Sequence, residues 1–417
     1  MPKLLICGTK KLEGEIQIHG AKNSTLPLMA ASLICGGQCV LHNCPSLSDV
    51  DTTIRILRHL GCSVEREAGT VTIDPTTADH FDIPDHLMRE MRSSIIFLGA
   101  IVSRTGKASL SFPGGCELGP RPIDLHLSSL RKMGVVIEED HGCLNCTAPE
   151  GMKGAVITLS FPSVGATENI IIAAANARGE TVIHNAAREP EICDLADFLN
   201  SCGAKIRGAG GGTVFIEGVE KLSGCEHTVI PDRIAAATYL AAAAATGSTL
   251  TVSHIVPDHL EPVVPVLEES GCELAIGRQS IRISAPERLH RVKSVRTMPY
   301  PGFPTDAQAP VMAMVTKADG TSMFVENIFE SRYKHVGELL RLGANIKVEG
   351  RVAVVDGVER LSGASVEATD LRGGAALVVA ALAAQGVTEI TGLHHLDRGY
   401  ENIEKNLAML GADIRRV

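Results

Sequence analysis

The chain has 417 residues, 45% hydrophobic and 21% charged, so it can bury large cores and exceeds one ordinary domain. Its net charge of −9 argues against nonspecific binding to nucleic acid or an anionic membrane. No apolar stretch approaches a membrane span, and an aromatic content of 3% with no Trp favours close-packed helices of small residues.

The N-terminal segment "MPKLLICGTKKLEGEIQIHG" has only a short apolar run before its lysines, and reads as a strand, not an export signal. Twelve scattered cysteines without a secretory context predict a cytoplasmic chain with reduced thiols. From there one pattern recurs: a helix end, a glycine, then an alternating strand. It reads "HLGCSVE", "KMGVVIE", "SCGAKIR", "ESGCELA", "RLGANIK" and "MLGADIR". The shared glycines are Gly61, Gly134, Gly203, Gly271, Gly343 and Gly411, spaced by 73, 69, 68, 72 and 68 residues. Each sits where a helix needs a left-handed C-terminal residue before a strand begins.

Upstream of each glycine lies an amphipathic helix, such as "DLHLSSLRKMG". Further upstream lies a helix apolar on every side: "LPLMAASLI", "SSIIFLGAIV", "NIIIAAANA", "AAATYLAAAAA", "APVMAMVT" and "AALVVAALAA". A helix apolar all round is a buried one. The unit therefore reads strand, buried helix, strand, outer helix, strand, with a hairpin to the next unit. Six such ~70-residue units predict an α/β chain of two pseudo-symmetric domains, three units each, helices central and sheets outside.

Two local motifs favour structure over chemistry. "CLNC" at 143–146 has metal or redox spacing, but it lacks a second pair and alternates like a strand, so a hairpin is expected and no metal site is assigned. "GAGGGT" at 208–213 reads as a hairpin turn, not a dinucleotide loop.

The repeat register also aligns the polar residues. Lys22, Asp232 and Arg372 each lie 39 residues before their glycine; Arg92 lies at 42, Asp306 at 37 and Thr167 at 36. Nearly every buried helix thus opens beside a polar group. Asp232, Asp370 and Thr167 are expected as N-caps, and "TDAQ" fits a Thr-x-x-Gln capping box. Lys22, Arg92 and Arg372 oppose the helix macrodipole and gain nothing there without an anion to share. A second polar set precedes the outer helices: Arg121 and Arg398 lie 13 residues before their glycines, Arg332 lies 11 before, and Glu330 lies 13 before. Cations and helix N-termini gathered by repeat symmetry predict a site for a polyanionic small molecule. One loop, "PGGCELGPRP", carries a thiol at Cys116 among glycines and prolines, five residues before Arg121.

The segments "GAKNS", "PGGC" with "RPIDLH", "FPSVGATEN", "PDRIAAATYL", "GFPTDAQAP", "ENIFESRYKHVGEL" and "DLRGGAALVVAAL" resemble the UDP-N-acetylglucosamine enolpyruvyl transferase family across essentially the whole chain. The resemblance implies the enolpyruvyl transferase fold, two inside-out α/β barrel domains each of three βαβαββ-type repeats. It places one domain at 22–229, carrying a catalytic loop at 112–122. The other takes 1–21 plus 230–417, with the active site in the cleft. The implied substrates are phosphoenolpyruvate and UDP-N-acetylglucosamine, with no cofactor, no metal, no nucleic acid partner and no membrane insertion. The implied reaction is the first committed step of bacterial peptidoglycan synthesis, addition and elimination through a tetrahedral ketal.

By the same resemblance Cys116 is the general acid or adduct-forming thiol, and Asp306 is the base at the sugar 3′-hydroxyl. Lys22, Asn23, Arg121, Arg332, Arg372 and Arg398 hold phosphoenolpyruvate, with Lys22 and Arg398 counted among the catalytic groups. Arg92, Arg121, Pro122, Ile123, Asp124, Leu125, Phe161, Pro162, Ser163, Val164, Asp306 and Ile328 line the nucleotide-sugar site. A thiol at position 116 also implies alkylation by the epoxide fosfomycin. The sister enzyme 5-enolpyruvylshikimate-3-phosphate synthase, or a noncatalytic UDP-sugar-binding paralogue, are the alternatives; the "PGGC" loop disfavours the first and the intact polar set the second.

Overall fold

The computed structural model describes residues 2–8, 10–114 and 123–417. It divides into two compact units. One, here the continuous unit, comprises residues 20–114 and 123–230; the other, the split unit, comprises 2–19 and 231–417. Each has its own hydrophobic core.

Six helices form the cores: α1 (Lys22–Ser32), α2 (Phe97–Thr105), α3 (Val164–Ala174), α4 (Arg233–Ala245), α5 (Thr305–Met314) and α6 (Leu371–Ala383). They are the all-apolar segments of the sequence. In α4 and α6 every residue but one is buried, because alanine and glycine let neighbouring helices approach closely. α1 and α5 each carry an internal proline, Pro27 and Pro310. Proline offers no N–H to the carbonyl four residues before, so the carbonyls of Asn23 and Asp306 lose their helical donors.

Around these helices lie six four-stranded sheets with one shared order. In each, an edge strand runs parallel to the strand after the central helix; in four of them that helix is the crossover joining the pair. In five sheets that strand pairs antiparallel with the second arm of a hairpin, whose first arm forms the other edge; in the sixth the N-terminal and C-terminal strands take those two places. Thus Val156–Thr158 pairs parallel with Glu180–His184, which pairs antiparallel with Thr213–Glu217 and through it with Lys205–Arg207. In the first five repeats the hairpin therefore closes the repeat on itself, where the sequence pattern predicts that it leads to the next.

Two closures join residues far apart in the chain. Glu226–Thr228, after the third repeat, pairs with Cys39–His42 of the first. In the split unit Leu4–Cys7 fills the sixth sheet between Val387–Thr391 and Asp413–Arg416, and Glu13–Gln17 joins Thr249–Ser253 of the fourth.

The six shared glycines all take the left-handed conformation, with φ between +90° and +101°. Each terminates an outer helix as its periodicity requires. Cys143–Thr147 is a strand whose residues alternate exposed and buried, so Cys143 and Cys146 lie on opposite faces. Among the described residues, no helix is long and apolar enough to cross a membrane.

Candidate functional site

In the split unit, Asp306 is the second residue of α5 and Arg372 the second residue of α6. Arg332 precedes the helix Val336–Arg341. The register brings the three together. Asp306 Oδ1 accepts from Arg332 Nη2 at 2.9 Å and Oδ2 from Arg372 Nη2 at 3.0 Å. The two guanidinium side chains are 2% and 3% exposed, whereas the Asp306 side chain is 28% exposed. A partly accessible carboxylate therefore lies over two buried cations.

Arg332 Nε and Arg372 Nε and Nη1 are buried with no hydrogen-bond acceptor among the described residues. Such groups cost free energy unless a partner satisfies them. Two forks with unused donors are the donor set that phosphate or carboxylate oxygens accept from. Burial opposes the charge on Arg372, but Asp306, Tyr400 and Asp232 more than offset it and raise its pKa. The rings of Tyr400 and Phe329 lie 5.4 and 5.7 Å from the Arg372 and Arg332 guanidinium carbons.

Neighbouring groups hold this arrangement. Asp370 caps α6, accepting from the backbone N–H groups of Arg372 and Gly373, each at 3.0 Å. The buried His335 lies 3.1 Å from the Arg332 carbonyl through Nδ1. Burial is the main cause that lowers its pKa to about 4, with Arg332 adding to it and Asp370 opposing, so it is neutral at pH 7. Glu326, almost wholly buried, accepts from the Thr297 and Thr305 hydroxyls and from the backbone N–H groups of Ile328 and Phe329. It fixes the start of α5 and the segment carrying Ile328. Sequence reasoning missed Glu326, because nothing in "FVENIF" separates a buried hub from a surface acid. Arg398 is half-buried in the turn after Leu393–Leu396.

In the continuous unit Lys22 opens α1 and is nearly buried; its Nζ lies 2.6 Å from Asp49 Oδ2. Asp49, in the first turn of the helix Ser48–His59, supplies the anion that a lysine at a helix N-terminus demands. Half-buried Asn23 follows it. Arg92 donates to the Pro113 carbonyl at 3.0 Å.

Arg92, the helix Asp124–Lys132 and the start of α3 meet around His126. Burial, and secondarily Arg92, lower the His126 pKa to about 4. Its Nδ1 lies 3.0 Å from the Asn169 amide of α3. Ile123 is buried, Asp124 exposed and Leu125 half-buried. Phe161 is exposed, and Pro162, Ser163 and Val164 are half-buried at the entry to α3. Glu168, fully buried on α3, has its pKa raised well above the usual carboxylate range by desolvation and then by Glu191 and Glu189. Cys116, Arg121 and Pro122 lie outside the described residues.

The four capping expectations meet different outcomes. Asp232 and Asp370 cap α4 and α6. Thr167 does not cap α3: Ser163 does, accepting from Ala166, while the Thr167 hydroxyl donates to the Ser163 carbonyl and accepts from Ala187. The "TDAQ" capping box does not form, because Pro304 is the N-cap and the Thr305 hydroxyl is committed to Glu326.

The family model described as EPSP synthase (3-phosphoshikimate 1-carboxyvinyltransferase) matches residues 6–407. A relative from Caldanaerobacter subterraneus subsp. tengcongensis, UDP-N-acetylglucosamine 1-carboxyvinyltransferase 2, is 53% identical over 417 residues and all of both chains. A UDP-N-acetylglucosamine 1-carboxyvinyltransferase from Trichlorobacter lovleyi is 46% identical over 100% of this chain and 99% of its own. Among solved structures, the enolpyruvyl transferase NikO from Streptomyces tendae superposes with TM-score 0.90 at 27% identity, covering 100% of this chain and 99% of that one. An EPSP synthase from Acinetobacter baumannii shares the fold at TM-score 0.76 and 18% identity, each chain covered in full. With end-to-end identity of this order and six sheets of one topology, the chain belongs to the UDP-N-acetylglucosamine 1-carboxyvinyltransferases, within the EPSP synthase family.

Proposed function

We propose that this chain transfers the enolpyruvyl group of phosphoenolpyruvate to the 3′-hydroxyl of UDP-N-acetylglucosamine and releases inorganic phosphate. The family supplies the reaction class, and the observation that carries the reading is the clamp of Asp306 between Arg332 and Arg372 with its unused buried donors. A carboxylate suited to accept or orient a hydroxyl proton stands beside cations suited to a substrate bearing both phosphate and carboxylate.

In this reading the sugar oxygen bonds to C2 of phosphoenolpyruvate while C3 gains a proton from the Cys116 thiol. The hydroxyl proton passes to Asp306 or to phosphate. The tetrahedral ketal then loses phosphate and a C3 proton, restoring the double bond in the product ether. Arg332, Arg372, Arg398, Arg121 and Lys22 stabilise charge on the phosphate and carboxylate as it redistributes. The nucleotide-sugar is held by Arg92, Arg121 to Leu125, Phe161 to Val164, Asp306 and Ile328, and Asn23 joins Lys22 at phosphoenolpyruvate. In this reading the reaction is cytoplasmic and needs no cofactor.

Phosphate release from phosphoenolpyruvate tests the reading. Release is expected with UDP-N-acetylglucosamine and not with shikimate-3-phosphate; the reverse preference, or release with neither, overturns it. Time-dependent inactivation by fosfomycin, abolished by Cys116→Ser, is expected of the same preparation.

A further inference from the structure

Four cysteines far apart in sequence converge in the continuous unit, away from the residues assigned to catalysis. Cys35 follows the end of α1, and Cys39 opens the strand Cys39–His42. Cys202 ends the helix Pro190–Ser201, and Cys225 precedes the strand Glu226–Thr228. The sulfurs of Cys35, Cys39 and Cys202 all lie within 4.8 Å of one another, and all three residues are buried. Cys35 Sγ is 3.7 Å from Cys202 Sγ, and half-buried Cys225 Sγ is 3.2 Å from Cys202 Sγ.

Isolated buried cysteines serve as small hydrophobes, but that role does not require them to meet. The residue before the shared glycine is Leu60, Met133, Leu342 or Leu410 in four repeats, Ser270 in the fourth and a thiol, Cys202, in the third. A tetrahedral zinc with Zn–S bonds of about 2.3 Å sets its sulfurs about 3.8 Å apart. The Cys35–Cys202 separation already matches that edge, and Cys225 Sγ, 3.2 Å from Cys202 Sγ, stands next to the three clustered sulfurs. The Arg104 guanidinium donates to the Cys35 carbonyl at 3.3 Å. A surface cleft lined by Cys35, Arg104, Lys107 and Lys221, among others, gives an entry path.

We propose that Cys35, Cys39, Cys202 and Cys225 form a closed structural site for one Zn²⁺ ion. Binding releases the thiol protons to solvent and forms four Zn–S bonds, with no change of oxidation state. The site lies on the seam where the ring of three repeats closes. There Gly36 N–H donates to the Leu222 carbonyl, Val40 N–H to the Cys225 carbonyl and Ser223 N–H to the Cys202 carbonyl. A metal there staples the third repeat to the first.

The test is anaerobic titration of the reduced full-length chain with Co²⁺, followed by displacement with Zn²⁺. One equivalent of Co²⁺ is expected to give tetrahedral ligand-field and thiolate charge-transfer bands, which Zn²⁺ abolishes. Cys35→Ser and Cys202→Ser are expected to lose the bands, and Cys143→Ser, an exposed strand position, to keep them. In the wild-type chain, Zn²⁺ is expected to protect Cys35, Cys39, Cys202 and Cys225 from alkylation mapped by mass spectrometry while leaving Cys143 reactive, which needs no variant to fold. Absent bands, bands unchanged in both variants, no protection, or a Cys202–Cys225 disulfide in a chain that takes up no metal after reduction each overturn the proposal.

Discussion

Asp306 cannot be understood apart from the two guanidinium groups that hold it. Replacing it by Asn keeps the shape but removes the charge shared by Arg332 and Arg372 and the group proposed to take or orient the hydroxyl proton. Turnover in the phosphate-release assay is expected to fall about 100-fold or more, with little loss of phosphoenolpyruvate affinity. A large rise in KM with kcat intact would contradict the assignment. Arg372→Lys gives the complementary result. A lysine offers a point charge without the planar fork, and the site is too buried for water to replace the lost donors. The expected change is a rise in KM for phosphoenolpyruvate of about 10-fold or more, from loss of one or more charge-assisted hydrogen bonds. These two residues were legible because the repeat register aligned them at helix starts. Asp49 and Glu326 were not, since a buried partner for a cation and a buried hub for four donors look in sequence like surface acids.

At the scale of the element, the decisive positions are those where backbone meets backbone. The outer helices end on glycines whose positive φ was readable from position alone, and the same pattern exposed the sixfold repeat. The seam beside the thiol cluster was not readable, because it joins residues 36–40 to 222–225 through a strand exchange that no local pattern encodes. A Cβ placed on Gly224 would lie 1.9 Å from the Gln38 carbonyl oxygen, so one backbone segment would have to move. At Gly203, with φ of +101°, a Cβ would meet nothing within 4 Å, and only the conformational cost remains, about 1–2 kcal/mol. Gly224→Ala is therefore expected to lower the denaturant midpoint of unfolding more than Gly203→Ala does. Equal losses would show that the seam yields easily. The misplaced caps have a similar origin. Ser163 and Thr167 both stand near the start of α3, and only tertiary structure commits the Thr167 hydroxyl to Ala187.

Across the whole molecule, acid sensitivity follows from one buried imidazole in each unit and one buried carboxyl. His126 and His335 have pKa values lowered from 6.5 to about 4, chiefly by burial. Between those values the unfolded chain binds protons that the folded chain refuses, so each histidine makes stability fall as pH drops from 6.5 toward 4. At about 1.4 kcal/mol per pKa unit, each accounts for about 3 kcal/mol over the full window. Arg92 works with burial at His126; at His335, Arg332 works with burial and Asp370 against it. Glu168 acts in the opposite sense: burial, then Glu191 and Glu189, raise its pKa in the fold above the 4.5 of the unfolded carboxyl. Between pH 5 and 6 the two histidines make stability fall on acidification, and Glu168, whose pKa burial raises, offsets part of that loss. His126→Gln is expected to flatten the dependence of denaturant stability on pH in this window, and Glu168→Gln to steepen it. Each substitution moves the slope by up to one proton, whatever it does to stability at pH 7. Slopes that stay at the wild-type value in both variants would place the acid response elsewhere in the chain.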